Sequence, residues 1–152
     1  KIHHAAFNHG YLNETKDDWP DYLLKGYKSS PMRYNLDDFD PVNKIKILLS
    51  SNPWHAIPRD LNFHFVFHCM GDQSGINWHN DSGYEYGCTY YINKRWNRDF
   101  GGELIWSVPE YGNGFIPIWG NSMLILKAPV WHKVVPVMSP TVPRMTIQTF
   151  ID

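Results

Sequence analysis

The stretch NFHFVFHCM (62–70) decides the architecture. Phe63, Phe65 and Phe67 alternate with His64, Val66 and His68, so successive side chains leave opposite faces. That is the period of a β-strand rather than a helix. Downstream, the segments 75–80, 86–93, 103–108, 115–119, 122–127, 130–137 and 144–151 have the same character, and Gly, Pro, Asn or Asp separates most of them. No helical period interrupts the series, which excludes βαβ crossovers. About eight short antiparallel strands suit two facing sheets. The expected fold is therefore mainly β, a double-stranded β-helix of the jelly-roll, cupin-like kind.

Upstream the pattern is mixed. DDWPDYLLKGY (17–27) reads as a short helix with an Asp near its cap and Pro20 close to its first turn. In DPVNKIKILLSS (40–51), Asp40 can cap, Pro41 suits the first helical position, and Val42, Ile45, Leu48 and Leu49 fall at helical spacing. Asn52-Pro53 ends that helix, and KSSPMRYNLDDF (28–39) between the two has loop chemistry. Both N-terminal helices are expected to pack on the outer face of one sheet and cover it.

The 152 residues suit a single domain spanning 1–152. The opening KIHH (1–4) reads as an expression-tag remnant, so His3 and His4 carry no functional weight. Lys plus Arg number 14 against 15 acids, a net charge of −1. That balance gives no electrostatic case for nucleic acid or a membrane as partner. No apolar run approaches the ~20 residues a spanning helix needs. Two cysteines, Cys69 and Cys88, make no disulfide framework. Buried thiols in a reducing, cytoplasmic compartment are expected.

Chemistry concentrates in two places. NWHNDSGY (77–84) contains His79 and Asp81 as His-x-Asp, and VWHKVVP (130–136) supplies His132. On an extended segment, residues two apart point the same way, so His79 and Asp81 can grip one ion. Two imidazoles and a carboxylate on one side of an ion, with positions left open, suit non-haem Fe(II). His-x-Asp alone is a weak motif, and strand context with a late-strand His132 strengthens it. Zinc accepts the same ligands, which keeps a hydrolase open. His64 and His68 read as core or cavity histidines, while His9 and His55 read as solvent-facing.

PRMTIQTFID (143–152) places Arg144 at the head of the last strand. A guanidinium turned inward asks for an anion, and its planar fork matches a carboxylate. Tyr91 in TYYIN (89–93) can donate its phenol to the same group.

The segments WHNDSG (78–83), GCTYYINKRWNRDFGGELIW (87–106), WHKVVPV (131–137) and PRMTIQTFID together resemble the 2-oxoglutarate/Fe(II) dioxygenase superfamily, in its prolyl-hydroxylase-like branch. The resemblance implies iron held by His79, Asp81 and His132. It further implies 2-oxoglutarate paired through its distal carboxylate to Arg144 with Tyr91 in support, O2 as oxidant and ascorbate as an auxiliary reductant. The implied reaction is hydroxylation of a C–H bond with release of succinate and CO2. Asp81 occupies the place that halogenating relatives leave small, which favours hydroxylation. Two departures stand out. Cys69 in FHCMG lies where many relatives carry a Tyr that touches the co-substrate, and some collagen-type relatives have Lys in place of Arg144.

SGYEYG (82–87) follows Asp81 directly and is the candidate substrate loop, with Tyr84 and Tyr86 able to clamp and Trp78 beside them. Trp96 and Trp106 read as core. An aromatic mouth suits a peptidyl prolyl or similar side chain of a protein substrate. A free amino acid or small metabolite is the alternative. Nucleic-acid repair lacks its basic groove. A non-catalytic cupin-like metal- or ligand-binding module is the rival from another class.

Overall fold

The computed structural model describes residues 20–28, 32–53 and 57–152. KIHH, His9, His55 and the first residues of the 17–27 helix lie outside them. Among the described residues the strands are β1 Met32–Asn35, β2 Phe63–Met70, β3 Ile76–His79, β4 Tyr86–Tyr91, β5 Leu104–Val108, β6 Gly112–Ile116, β7 Ser122–Lys127, β8 Trp131–Val134 and β9 Arg144–Ile151. They form two antiparallel sheets ordered β1-β2-β9-β4-β7 and β3-β8-β5-β6. This is the mainly β, jelly-roll architecture expected from the alternation.

Three strands depart from expectation, and the simplest case is β8, which ends at Val134 rather than at 137. β6 begins at Gly112, earlier than 115, because a turn in which the Tyr111 amide donates to the Val108 carbonyl closes the β5–β6 hairpin early. Gly112 accepts the required φ of +80°. β1 lies in the stretch read as a loop. Its four residues alternate too briefly to signal a strand, and pairing with β2 (Met32 opposite Cys69, Arg33 opposite His68) makes it one.

Along β2, Phe65, Phe67 and Cys69 turn to the outer face of the five-stranded sheet and join one apolar cluster. His68 and Met70 go to the inner face. The short helix α1 spans Asp21–Leu24, and α2 spans Asn43–Ser51 after a 3-10 turn at Asp40–Val42. Asp40 does not cap α2. The helix enters from Val42 without a side-chain cap, and Asp40 accepts a 3.3 Å bond from Asn43 Nδ2. Val42, Ile45 and Leu49 bury against Phe65, Phe67, Met145 and Ile147, so α2 covers the outer face of the larger sheet. Leu48, also expected to be buried, is 66% exposed.

α1 does not share that face. Leu23 packs with Met70, Ile76, Val134 and Val137, which places α1 beside β3 of the smaller sheet. The two helices therefore serve different sheets, correcting the expectation that both cover one. Cys69 and Cys88 are free and buried. Burial pushes their thiols up to about 11 and about 12, so both are inert packing groups.

Leu49 is 2% exposed against 66% for Leu48, so truncating these neighbours must have unequal effects. Leu49→Ala is expected to cost about 2–5 kcal/mol in chemical denaturation. Leu48→Ala should stay within about 0.5 kcal/mol.

Candidate metal centre

β3 and β8 pair so that His79 and His132 face each other directly across the strands. Their ring centroids are 4.2 Å apart and tilted by 53°. Each ring is fixed from behind. His79 Nδ1 donates to the Asn77 carbonyl, and His132 Nδ1 to the Val130 carbonyl, both at 2.8 Å. This tautomer leaves Nε2 of both rings as a lone-pair donor directed forward.

Asp81 reaches the rings from past the end of β3, not from an extended strand. Its φ is +49°, the left-handed region, and its carbonyl accepts the Tyr84 amide at 3.0 Å. The turn aims the carboxylate back at the imidazoles. Asp81 Oδ1 lies 3.6 Å from His79 Nε2, and Oδ2 lies 3.5 Å from His132 Nε2. These gaps exceed good hydrogen-bond length and suit donors arranged around a common ion. The three ligand atoms all lie within 4.8 Å of one another. Geometry and donor chemistry therefore fit a divalent metal held on one face by two neutral nitrogens and one carboxylate. Burial first, and then the charge of His79, lowers the His132 pKa against the opposing pull of Val130 and Asp81. A neutral, ligand-ready imidazole is the result.

The triad opens on a cavity of about 250 Å³. Leu23, Ile76, Leu104, Leu126 and Val134 give it apolar walls, and His68, Thr89 and Gln148 add polar groups from the larger sheet. Thr89 Oγ1 donates to Gln148 Oε1 at 2.7 Å. Arg33 also lines this cavity, and burial lowers its pKa to about 10. Reading the sequence missed Arg33 because β1 itself was missed. Strand parity in β4 and β9 was the signal for Thr89 and Gln148.

Arg144 and Tyr91 belong to the same inner face but lie deeper. Along β9 the inward residues run Arg144, Thr146, Gln148, Phe150, and only the last two line the cavity. Arg144 is 0% exposed. Its Nε donates to the Gly102 carbonyl at 2.9 Å, and Nη1 faces Met70 Sδ at 3.4 Å and Thr146 Oγ1 at 3.5 Å. The guanidinium carbon sits 5.3 Å from the Tyr91 ring centroid. Among the described residues, Arg144 Nη2 and the Tyr91 hydroxyl have no hydrogen-bond partner of good geometry. Burial lowers the Arg144 pKa and raises that of Tyr91. A buried cation and a buried phenol, side by side with donors unspent, suit a carboxylate.

The other singled-out residues divide. Tyr84 lines the cavity, with its ring 4.8 Å from that of Phe150. Tyr86 does not reach it: it starts β4 on the opposite parity from Tyr91 and packs against the outer apolar cluster. Trp78 also points away, exposed, with Lys133 Nζ 5.9 Å from its ring. Cys69 faces the outer cluster, so it cannot stand in for the missing Tyr. His64 is not a core histidine: it lies half exposed between Asp37 at 3.8 Å and Asp152 at 3.3 Å. His68 is on the cavity wall as expected. Trp96 is partly buried and donates to the Gly101 carbonyl at 2.9 Å.

Two outcomes follow for the bare protein. A Cβ at Gly87 would stand 3.1 Å from Asp81 Oδ2, so Gly87→Ala should displace the carboxylate. Isothermal titration should show Fe(II) or Mn(II) affinity falling about tenfold, the scale of a lost outer-shell partner, with the fold retained. A His132 pKa below its unfolded value means the unfolded chain takes the proton first as pH falls. Stability of the metal-free protein should therefore be fully present above about pH 6.5 and decline below it. His132→Gln should flatten that decline in pH-dependent melting.

No protein-family profile matches the chain. No curated protein matches it either. Solved structures do. A Trichoplax adhaerens prolyl hydroxylase, crystallised with a hypoxia-inducible-factor peptide fragment, matches at TM-score 0.63 and 17% identity, covering 91% of this chain and 68% of that one. A Pseudomonas putida prolyl-4-hydroxylase matches at TM-score 0.60 and 12% identity, covering 80% and 71%. A 2OG-Fe(II) oxygenase-family oxidoreductase from Burkholderia pseudomallei matches at TM-score 0.51 and 16% identity, covering 77% of this chain. The alignment spans only about half, 52%, of that oxidoreductase. At these identities the likeness is one of fold, a two-sheet β architecture shared with these solved structures.

Proposed function

We propose that this chain is an Fe(II)- and 2-oxoglutarate-dependent dioxygenase that hydroxylates a C–H bond, with a peptidyl prolyl or similar side chain as substrate. The observation that carries the reading is the meeting of His79, Asp81 and His132 at one end of a double β-sheet. Their donor set leaves several coordination positions open, which suits iron oxygen chemistry better than a closed structural zinc site. When bound, ferrous iron with 2-oxoglutarate and O2 supplies an oxidation that converts C–H to C–OH while the keto acid becomes succinate and CO2.

The chain's own contribution is placement. Backbone carbonyls hold the Nδ1 side of His79 and His132, so Nε2 is the nitrogen each ring would offer to the metal. Asp81 supplies the single negative charge and fills the position a halide would need, so hydroxylation is favoured. Arg144 would pair with the distal carboxylate of the keto acid, and Tyr91 would donate its phenol to the same group. The apolar walls of the cavity exclude water, which limits wasteful oxidation. Tyr84, which lines the cavity from the 82–87 loop, would touch substrate. The peptide assignment draws on the Trichoplax relative, whose structure holds a peptide fragment. A free amino acid or small metabolite is the second reading, favoured by a cavity of only about 250 Å³.

A succinate-release screen against peptide and small-molecule panels tests the proposal. His132→Ala and Asp81→Ala should each lose more activity than the about 100-fold typical of an outer-shell change, with the fold intact by circular dichroism. Full turnover by either variant removes the assignment. Arg144→Ala should raise the apparent KM for 2-oxoglutarate by about tenfold or more. An unchanged KM would transfer the role to another cation, such as Arg33 on the cavity wall.

A further inference from the structure

A second concave surface shares no lining residue with the metal cavity. A depression of about 450 Å³ is lined by Lys94, Trp96, Arg98, Glu103, Phe115 and Trp119. Lys94 also lines an adjoining depression of about 480 Å³, with Arg95, Val142 and Met145. The two depressions are neighbours, with Lys94 common to both linings. This surface borders the start of β9, whereas the metal cavity is lined by Gln148 and Phe150 toward its end. Three steps of extended strand, Met145 to Gln148, separate the nearest lining residues of β9 by roughly 10 Å.

Its framework is preformed. Asn93 Nδ2 donates to the Pro143 carbonyl at 2.9 Å, and Asn93 Oδ1 accepts the Met145 amide at 2.7 Å, tying the 93–101 loop to β9. Trp96 Nε1 closes the same loop onto the Gly101 carbonyl. Gly120 lies so close to the Asn93 carbonyl that no Cβ fits, which locks the 119–121 turn to it. Yet Phe115 and Trp119 stay 66% and 68% exposed on this surface. Large exposed rings, Phe115 on β6 and Trp119 in the turn that follows, are features of an interaction site.

Charge selects the partner. Lys94, Arg95 and Arg98 face one acid, Glu103, whose charge also acts on buried Arg144. We infer that this surface docks an extended acidic protein segment carrying apolar or aromatic residues, its acids on Lys94 and Arg98 and its apolar groups on Trp119 and Phe115. A single-stranded nucleic acid fits less well, because its continuous phosphates would meet Glu103 in the lining, whereas a peptide can place its acids away from it. The site is distinct from the metal centre, so its test needs no turnover.

The experiment is fluorescence anisotropy with the full chain and a dye-labelled peptide of alternating Glu-Pro and Phe. Saturable binding that weakens with added salt is expected. It should fall about tenfold or more in Trp119→Ala and in the Lys94→Glu, Arg98→Glu pair, with unchanged thermal melting. A peptide with Gln in place of Glu should also bind at least about tenfold more weakly. His132→Ala should bind normally. Absent saturable binding, equal affinity for the Gln peptide, or indifference to Trp119→Ala would each overturn the inference. So would loss of binding in a folded His132→Ala, or tighter binding of oligo-uridine through the same residues.

Discussion

The pairing of β3 with β8, which sets His79 opposite His132, is the constraint on which the rest depends. An imidazole is useful to a metal only if its lone pair points the right way, and here backbone carbonyls two residues upstream settle that for both rings. The carboxylate does not come from the strand itself, which ends at His79. It arrives through a left-handed residue just past the strand, where Asp81 accepts a conformation that costs little for a short polar side chain. Gly87 on the opposite sheet leaves the space into which its oxygen projects. Two sheets thus converge on three atoms.

Strand parity organises the rest. In the larger sheet, odd positions of β2 and β9 bury Phe65, Phe67, Met145 and Ile147 under α2, while the inner side carries His68, Thr146, Gln148 and Arg144. A slip of one residue would put Arg144 into the apolar cluster and Ile147 into the cavity. The dense apolar packing on one side therefore holds the polar register on the other. That link lets a fully buried cation persist at a depth where it would otherwise be costly.

Much of this was legible in the residues. The alternation of 62–70 and the spaced short strands carried the two-sheet fold, and His79, Asp81 and His132 carried the centre. Tyr86 was misjudged although the signal existed: it differs in parity from Tyr91 on the same strand, so only one of them can face inward. Arg33 had no such signal, since its strand is four residues long and is defined by pairing with β2. Leu48 and Leu49 sit side by side at near-helical spacing, and only the direction from which β2 meets α2 decides which is buried. The separate destinations of α1 and α2 are likewise tertiary facts that no local pattern encodes.

The central claim is that one ferrous ion sits between His79, Asp81 and His132 with room for a chelating keto acid beside it. Anaerobic addition of Fe(II) and then 2-oxoglutarate to the protein, followed by visible absorption, tests this directly. The account predicts a weak metal-to-ligand charge-transfer band that saturates at one iron per chain and is missing in a folded His132→Ala. No band at saturating iron, or an undiminished band in that variant, would contradict it.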